Sequence, residues 1–216
     1  MRFYEFEAKQ LLAKHRIPLV QSEVANTADE AEKIASDIGG SVILKAQAIA
    51  PGLAAASTRE ATEAAGAKAA EAELLGIDDG GRKPRGVLVE ARPTGEAVYS
   101  LSFTYDGTTK RPVVAAANMA GKIDDLQDEH PDRIVRRHFS ALYPFSDYIA
   151  KELARSLSLG GNDLKRMTRI VSGLARAFLK YDLADLDITR LIKVGEGNFV
   201  VLDVEADLEI EARHRQ

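Results

Sequence analysis

The stretch GVLVEARPTGEAVYSLSFTYDGTTKRPVVAAAN, residues 86–118, decides the fold class. Gly86–Ala91, Ala97–Tyr105 and Pro112–Asn118 are short apolar runs and read as three strands. Asp106-Gly107 between the second and third predicts a hairpin turn. Strands grouped into hairpins belong to an α+β protein rather than to one doubly wound parallel sheet.

On the N-terminal side the texture alternates. Residues 3–15 predict a helix with Tyr4, Ala8, Leu11 and Leu12 on one face, stopped by Pro18. A strand, Ser22–Ala25, follows. Thr27-Ala28-Asp29-Glu30 has capping-box form and opens a helix that Gly39 closes. Ser41–Ala46 is an apolar strand carrying Lys45 near its end. Ser57-Thr58-Arg59-Glu60 reads as a second capping box before an alanine-rich helix running to Leu75, and Gly76–Arg85 as a loop.

On the C-terminal side, 119–145 reads as irregular and polar. Helices are expected over about 146–157 and from Asn162, the second carrying Leu164, Met167, Ile170, Val171, Leu174 and Phe178. Leu183–Lys193 and Asn198–Val204 read as a strand pair joined by Gly195-Glu196-Gly197. The expected organisation is two α+β lobes: a larger one from 1–20 and 86–205, a smaller one from 21–85, and a charged tail at 206–216.

Composition narrows the function classes. The 216 residues are 45% apolar and 29% charged with a net charge of -4, which lacks the basic bias of a nucleic-acid binder. Arg133, Arg136 and Arg137 form only a short basic cluster, consistent with a solvated face. The absence of cysteine excludes disulfides, thiolate metal sites and cysteine nucleophiles. Acidic residues interrupt the N-terminal stretch, so it is no signal peptide, and no apolar run approaches the roughly 20 residues of a membrane span. A soluble, cytoplasmic protein is expected, with no nucleic-acid or membrane partner. There is no glycine-rich P-loop and no serine in a nucleophile elbow. His15, His130, His138 and His214 have no partner at ligand spacing and read as surface histidines.

Three sets of residues suit chemistry. Lys45, at the end of an apolar strand, is placed to meet phosphate oxygens, or to snorkel out of a core. Glu90 ends an apolar strand at the junction of the lobes. With Glu96 it suits an adenine amino group or ribose hydroxyls, or serves as an ordinary strand-end charge. Asp185 and Asp187 share one strand face, and Asp203 lies on the partner strand. Such acids suit Mg²⁺, a hard ion shared with substrate phosphates; they equally suit structural pairing with Arg190.

These residues also carry a resemblance. Tyr4-Glu5-Phe6-Glu7-Ala8-Lys9-Gln10-Leu11-Leu12 with Ile17-Pro18 resembles the start of the succinyl-CoA synthetase β subunit, close to "hEYqAKqLl…yGiP". In order there follow Val42–Gln47, similar to "vvKaQ", Val87–Glu90, similar to "ilvE", Gly173–Asp182 and its strand, similar to "DlaliEiNPL", and Asn198–Asp203. The resemblance implies the ATP-grasp fold: two α+β lobes with a nucleotide cleft between them. It implies that Lys45 contacts ATP phosphates, that Glu90 and Glu96 lie near adenine and ribose, and that Asp203 is a Mg²⁺ ligand, with Asp187 beside it. The family works with an α-type subunit that binds CoA and carries a phosphohistidine, and with a CoA-ligase domain, here expected on another chain.

Two departures stand out. Where the family has a glycine-rich basic phosphate loop, this chain has the apolar stretch Ala48–Ala56 with one glycine. Each charge-assisted hydrogen bond lost there removes about 1.5–3 kcal/mol of phosphate binding. "EiNPL" appears as Asp187-Ile188-Thr189-Arg190-Leu191, with Thr189 and Arg190 in place of Asn and Pro. The expected function is the ATP-grasp nucleotide-binding component of an ADP-forming acyl-CoA ligase, inactive alone. The alternative is a degenerate domain serving as a binding or assembly module.

Overall fold

A computed structural model describes the backbone over residues 1–48, 57–77 and 83–215, and side chains as far as 212. The chain forms two compact units, Val20–Arg92 and Met1–Leu19 with Pro93–Gln216.

The smaller unit contains β1 (Ser22–Ala25), β2 (Val42–Ala46), β3 (Thr58–Ala61) and β4 (Val87–Ala91) in an antiparallel sheet of order β1-β4-β2-β3. Two helices pack on it. One spans Ala28–Ile38, with Thr27 Oγ1 accepting from Glu30 N–H at its start and Gly39 at φ 72 closing it, a left-handed value that glycine adopts without penalty. The other spans Ala64–Leu75. Ala31, Ile34, Ala35, Ala67, Ala70 and Leu74 meet Val42, Leu44, Val87 and Val89 in one core. Strand alternation then turns Ile43, Lys45, Leu88 and Glu90 to the opposite face, where all four are also buried.

Two expectations change here. Ser57–Glu60 is no capping box: Thr58–Ala61 pairs with β2 as β3, and the helix starts after Glu63, which makes no side-chain cap bond. A Ser-Thr-x-Glu pattern fits a cap locally, but the open edge of β2 offers a full row of backbone hydrogen bonds. Residues 87–91, expected in the larger lobe, lie between β1 and β2 in the smaller unit's sheet. The boundary therefore falls at 92/93 rather than 85/86. Most of the stretch Ala48–Ala56 and part of the loop Gly76–Arg85 fall outside the described residues.

The larger unit has an antiparallel sheet of order β7-β6-β5-β8-β9. Its strands are β5 (Ala97–Asp106), β6 (Arg111–Ala117), β7 (Ile134–His138), β8 (Leu183–Gly195) and β9 (Asn198–Leu208). One face carries Leu101, Phe103, Val114, Leu186, Ile188 and Val201 into a core with α-helices Glu5–Ala13, Asp147–Ser156 and Gly161–Lys180. The span 119–145 is more ordered than its polarity suggests. It holds a helix, Ile123–Glu129, and β7, because Ile123 and Leu126 cover Ala115 and Ala117 on the other face of β6. The expected tail is also shorter: β9 continues to Leu208, with Ala206 and Leu208 buried. No described helix is long and apolar enough to cross a membrane.

Candidate functional site

Lys45 and Glu90 meet. Register places Lys45 opposite Leu88 and Ile43 opposite Glu90, so the lysine and the glutamate are diagonal neighbours on one sheet face. Lys45 Nζ lies 2.6 Å from Glu90 Oε2, with side chains 8% and 0% exposed. Burying two charges is costly unless each is neutralised at hydrogen-bond distance, and this pair meets that condition. The backbone around it is tightly held. Ala46 N–H donates to Ser57 C=O, Gln47 N–H to Gly86 C=O, and Arg85 N–H to Gln47 C=O, while Gln47 Nε2 donates to Lys45 C=O.

Glu96 belongs to the larger unit. It sits just before β5, its backbone N–H donates to Lys193 C=O, and its largely exposed carboxylate lies 3.7 Å from Lys193 Nζ. Lys193 in turn pairs with Asp163 at 2.9 Å.

The acidic residues of β8 and β9 point away from the helical core, since Val204, Ala206 and Leu208 alternate with them into it. Each acid of β9 has its own cation. Arg190 Nε donates to Asp203 Oδ2, Lys122 lies 2.7 Å from Glu205, and Arg2 lies 2.8 Å from Asp207 and 3.7 Å from Glu205. Asp187 stands opposite Glu205 on one side and Ser102 on the other. Burial pushes its carboxyl up to about 6, against the lowering influence of the Ser102 hydrogen bond.

Magnesium, which the resemblance implies, is held by one or two free carboxylates together with waters and substrate phosphates. These residues do not fit it. Asp203 is engaged by a guanidinium, the Asp187 carboxyl is buried and bonded to Ser102, and the Thr189 carbonyl accepts Gly121 N–H at 3.0 Å. Among the described residues no cluster of three or more His, Cys, Asp or Glu is arranged to hold a metal ion.

Sequence reasoning named Lys45, Glu90, Asp187, Asp203 and Arg190. Arg2, Lys122 and Glu205 were not among them; the alternation of Glu205 with apolar β9 residues is a local signal, and Arg2 and Lys122 have none. The histidines divide differently from expectation. His138 Nε2 meets Asp106 Oδ2 at 2.7 Å, and this contact with the turn N–H groups of Thr108 and Thr109 holds Asp106 well below the usual carboxylate range. His15 stacks edge-on against Tyr181, and burial lowers its imidazole.

Comparison with known proteins decides the family. An ATP-grasp domain profile matches residues 2–193. The chain belongs to the ATP-grasp family. Among similar proteins of this family is succinate–CoA ligase [ADP-forming] subunit beta 1 of Archaeoglobus fulgidus, 30% identical over 217 residues, covering 100% of this chain and 56% of the relative. The succinate–CoA ligase beta subunit of Herpetosiphon aurantiacus is 32% identical over 212 residues, covering 97% and 56%. This ATP-grasp chain thus spans a little over half the length of those relatives. A dinucleotide-forming acetyl-coenzyme A synthetase of Ca. Korarchaeum cryptofilum, solved with coenzyme A and Ca-AMPCP, superimposes with TM-score 0.77 at 17% identity, covering 96% of this chain and 93% of that one. An ATP citrate lyase of Methanothrix soehngenii superimposes with TM-score 0.72 at 15% identity, covering 99% and 52%. These two likenesses establish the shared ATP-grasp fold.

Asp187 supplies a test of its environment. An unfolded aspartate titrates near 3.8 and the folded one near 6, so the folded state holds its proton more tightly. This group therefore favours folding most below pH 4, and that contribution is lost as pH rises from 4 through 6. The loss amounts to at most about 3 kcal/mol at 1.36 kcal/mol per pKa unit. Asp187→Asn is expected to be more stable than wild type at pH 7.5 by about 1–3 kcal/mol and nearly equal to it at pH 4. Urea unfolding of both proteins at the two pH values checks this; an unchanged difference between them would contradict it.

Proposed function

We propose that this ATP-grasp chain is the nucleotide-binding component of an ADP-forming acyl-CoA ligase. The observation that carries the reading is the buried Lys45 ammonium, fixed by Glu90 at 2.6 Å on the sheet's second face. An ammonium has three N–H donors, so Glu90 can orient it while phosphate oxygens accept from it. In a buried setting such a contact is electrostatically stronger than in water. Glu96, on the larger unit, is assigned to ribose or adenine contacts by the same reading.

The beta-subunit names of the relatives support a partner subunit; the resemblance assigns CoA binding and the phosphohistidine to an α-type partner. The CoA-ligase portion is assigned to polypeptide outside residues 1–216. Turnover then needs those partners, and a cytoplasmic setting suits them. A second reading, a degenerate domain retained for binding or assembly, is favoured by the Arg190–Asp203 pair, which takes up a carboxylate that a metal would use.

Radiolabelled ATP separates the readings. The isolated chain is expected to retain ATP without releasing ADP. Adding an α-type subunit and a CoA-ligase domain, with acid and CoA, is expected to start ADP release. Binding that never leads to release in the full mixture favours the second reading. ADP release by the isolated chain would overturn the need for partners.

A further inference from the structure

We propose that a cavity on the helical layer of the larger unit binds an amphipathic carboxylate, an acid group on an aliphatic body. The site goes beyond the nucleotide reading and does not depend on it.

Close packing at one glycine forms the cavity. Gly173 of the helix Gly161–Lys180 lies against the turn that follows the helix Glu5–Ala13. A Cβ there would stand 2.7 Å from Ile17 Cδ1 and 3.5 Å from His15 C=O. His15 N–H and Arg16 N–H close that turn on Leu12 and Ala13 C=O, with Arg16 at φ 59. His15 thereby comes beside the end of the long helix, where Arg176, Leu179 and Lys180 fall on one side at i, i+3 and i+4. Pro144 and Phe145 complete the walls of a space of about 480 Å³. Small-molecule sites span roughly 300–1,000 Å³.

The walls are anchored. Phe145 meets the buried Phe139 edge-on, ring centroids 5.0 Å apart, and Leu179 packs on the same core. The Tyr181 ring takes His15 edge-on at 5.5 Å and carries Lys180 Nζ at 5.4 Å. One aromatic ring thus holds two basic groups at an otherwise apolar space.

Three basic side chains and no acid line this space. Among the described residues Arg176 and Lys180 have no ion pair, whereas Arg2, Lys122, Arg190 and Lys193 each have a carboxylate. The uncompensated charge reaches His15: burial lowers its imidazole most, and Lys180 and Arg176 lower it further. An anion entering the cavity relieves that repulsion. The planar fork of Arg176 matches the two oxygens of a carboxylate. A carboxylate also suits the apolar walls better than a phosphate dianion, because each further charge adds to the cost of leaving water. Pro144, Phe145 and Leu179 then cover the aliphatic body.

Octanoate, octan-1-ol and acetate titrated into the whole chain test this, with the ring resonances of His15, assigned through His15→Gln, as the readout. Octan-1-ol keeps the body without the charge, and acetate the charge without the body. Octanoate is expected to bind at least about tenfold more tightly than either. It is also expected to raise the titration midpoint of His15, since a nearby anion favours the imidazolium. Arg176→Gln with Lys180→Gln, at two exposed positions, is expected to weaken octanoate binding by about tenfold or more. Octan-1-ol binding wild type as tightly as octanoate would overturn the proposal. So would equal octanoate affinity of wild type and the double variant, or octanoate that leaves the His15 midpoint where it was.

Discussion

Replacing Lys45 by alanine is expected to destabilise the protein by about 3–5 kcal/mol and to abolish nucleotide binding. The two effects have one cause. Lys45 comes from β2, which is paired on both sides by β3 and β4, and its ammonium is 2.6 Å from a carboxylate with no solvent exposure. Alanine takes that cation away and leaves the negative charge in place. The remedy lies in the second residue: Lys45→Gln with Glu90→Gln removes both charges and keeps an amide pair of similar volume. The double variant is expected to recover most of the stability, since exchanging a buried ion pair for a neutral one is often close to neutral. It is not expected to recover nucleotide binding. Urea unfolding of wild type, Lys45→Ala and the double variant checks the first part. A double variant as unstable as the single one would contradict the assignment of Glu90 as the counterion of Lys45.

Phe178→Ala is the second large effect, a loss of about 3–5 kcal/mol. Phe178 lies on the inner face of the long helix Gly161–Lys180 and has no solvent exposure. Its ring centroid is 6.1 Å from Phe103 and 5.3 Å from Tyr105, so one truncation opens a cavity between helix and β5. At roughly 2–4 °C per kcal/mol for a chain of this size, the melting midpoint should fall by about 10 °C. The loss should also be local. The core around Phe178 and the core of the smaller unit share no residue. Amide exchange is expected to quicken in β5 and β8 and to remain slow in β2 and β4. Equal acceleration in all four strands would contradict separate cores.

What the sequence made legible, and what it hid, follows from the range of each interaction. Short apolar runs bounded by turn residues marked β5, β6, β8 and β9, and the stripe Met167, Ile170, Val171, Leu174, Phe178 marked the long helix, because both are local patterns. Thr58–Ala61 misled because a cap and an edge strand use the same short polar residues, and only the neighbouring β2 decides between them. The helix Ile123–Glu129 was hidden because two side chains, Ile123 and Leu126, carry all its burial. Among the site residues, Arg190 with Asp203 was visible as an acid and a base on adjoining strands. Lys45 with Glu90 was visible as two charged residues in apolar strands, but their pairing depends on sheet register. Arg2 with Asp207 joins the two ends of the sequence, and no local pattern announces it.

In the proposed function the buried Lys45 ammonium holds the nucleotide phosphates. Calorimetric titration of ATP into wild type and into the Lys45→Gln, Glu90→Gln double variant tests it most directly, since both proteins are expected to be folded. Saturable micromolar binding to wild type is expected, and binding at least about a hundredfold weaker to the double variant, a difference of about 2.7 kcal/mol. No heat from wild type at millimolar ATP, or equal affinity of the two proteins, would contradict it.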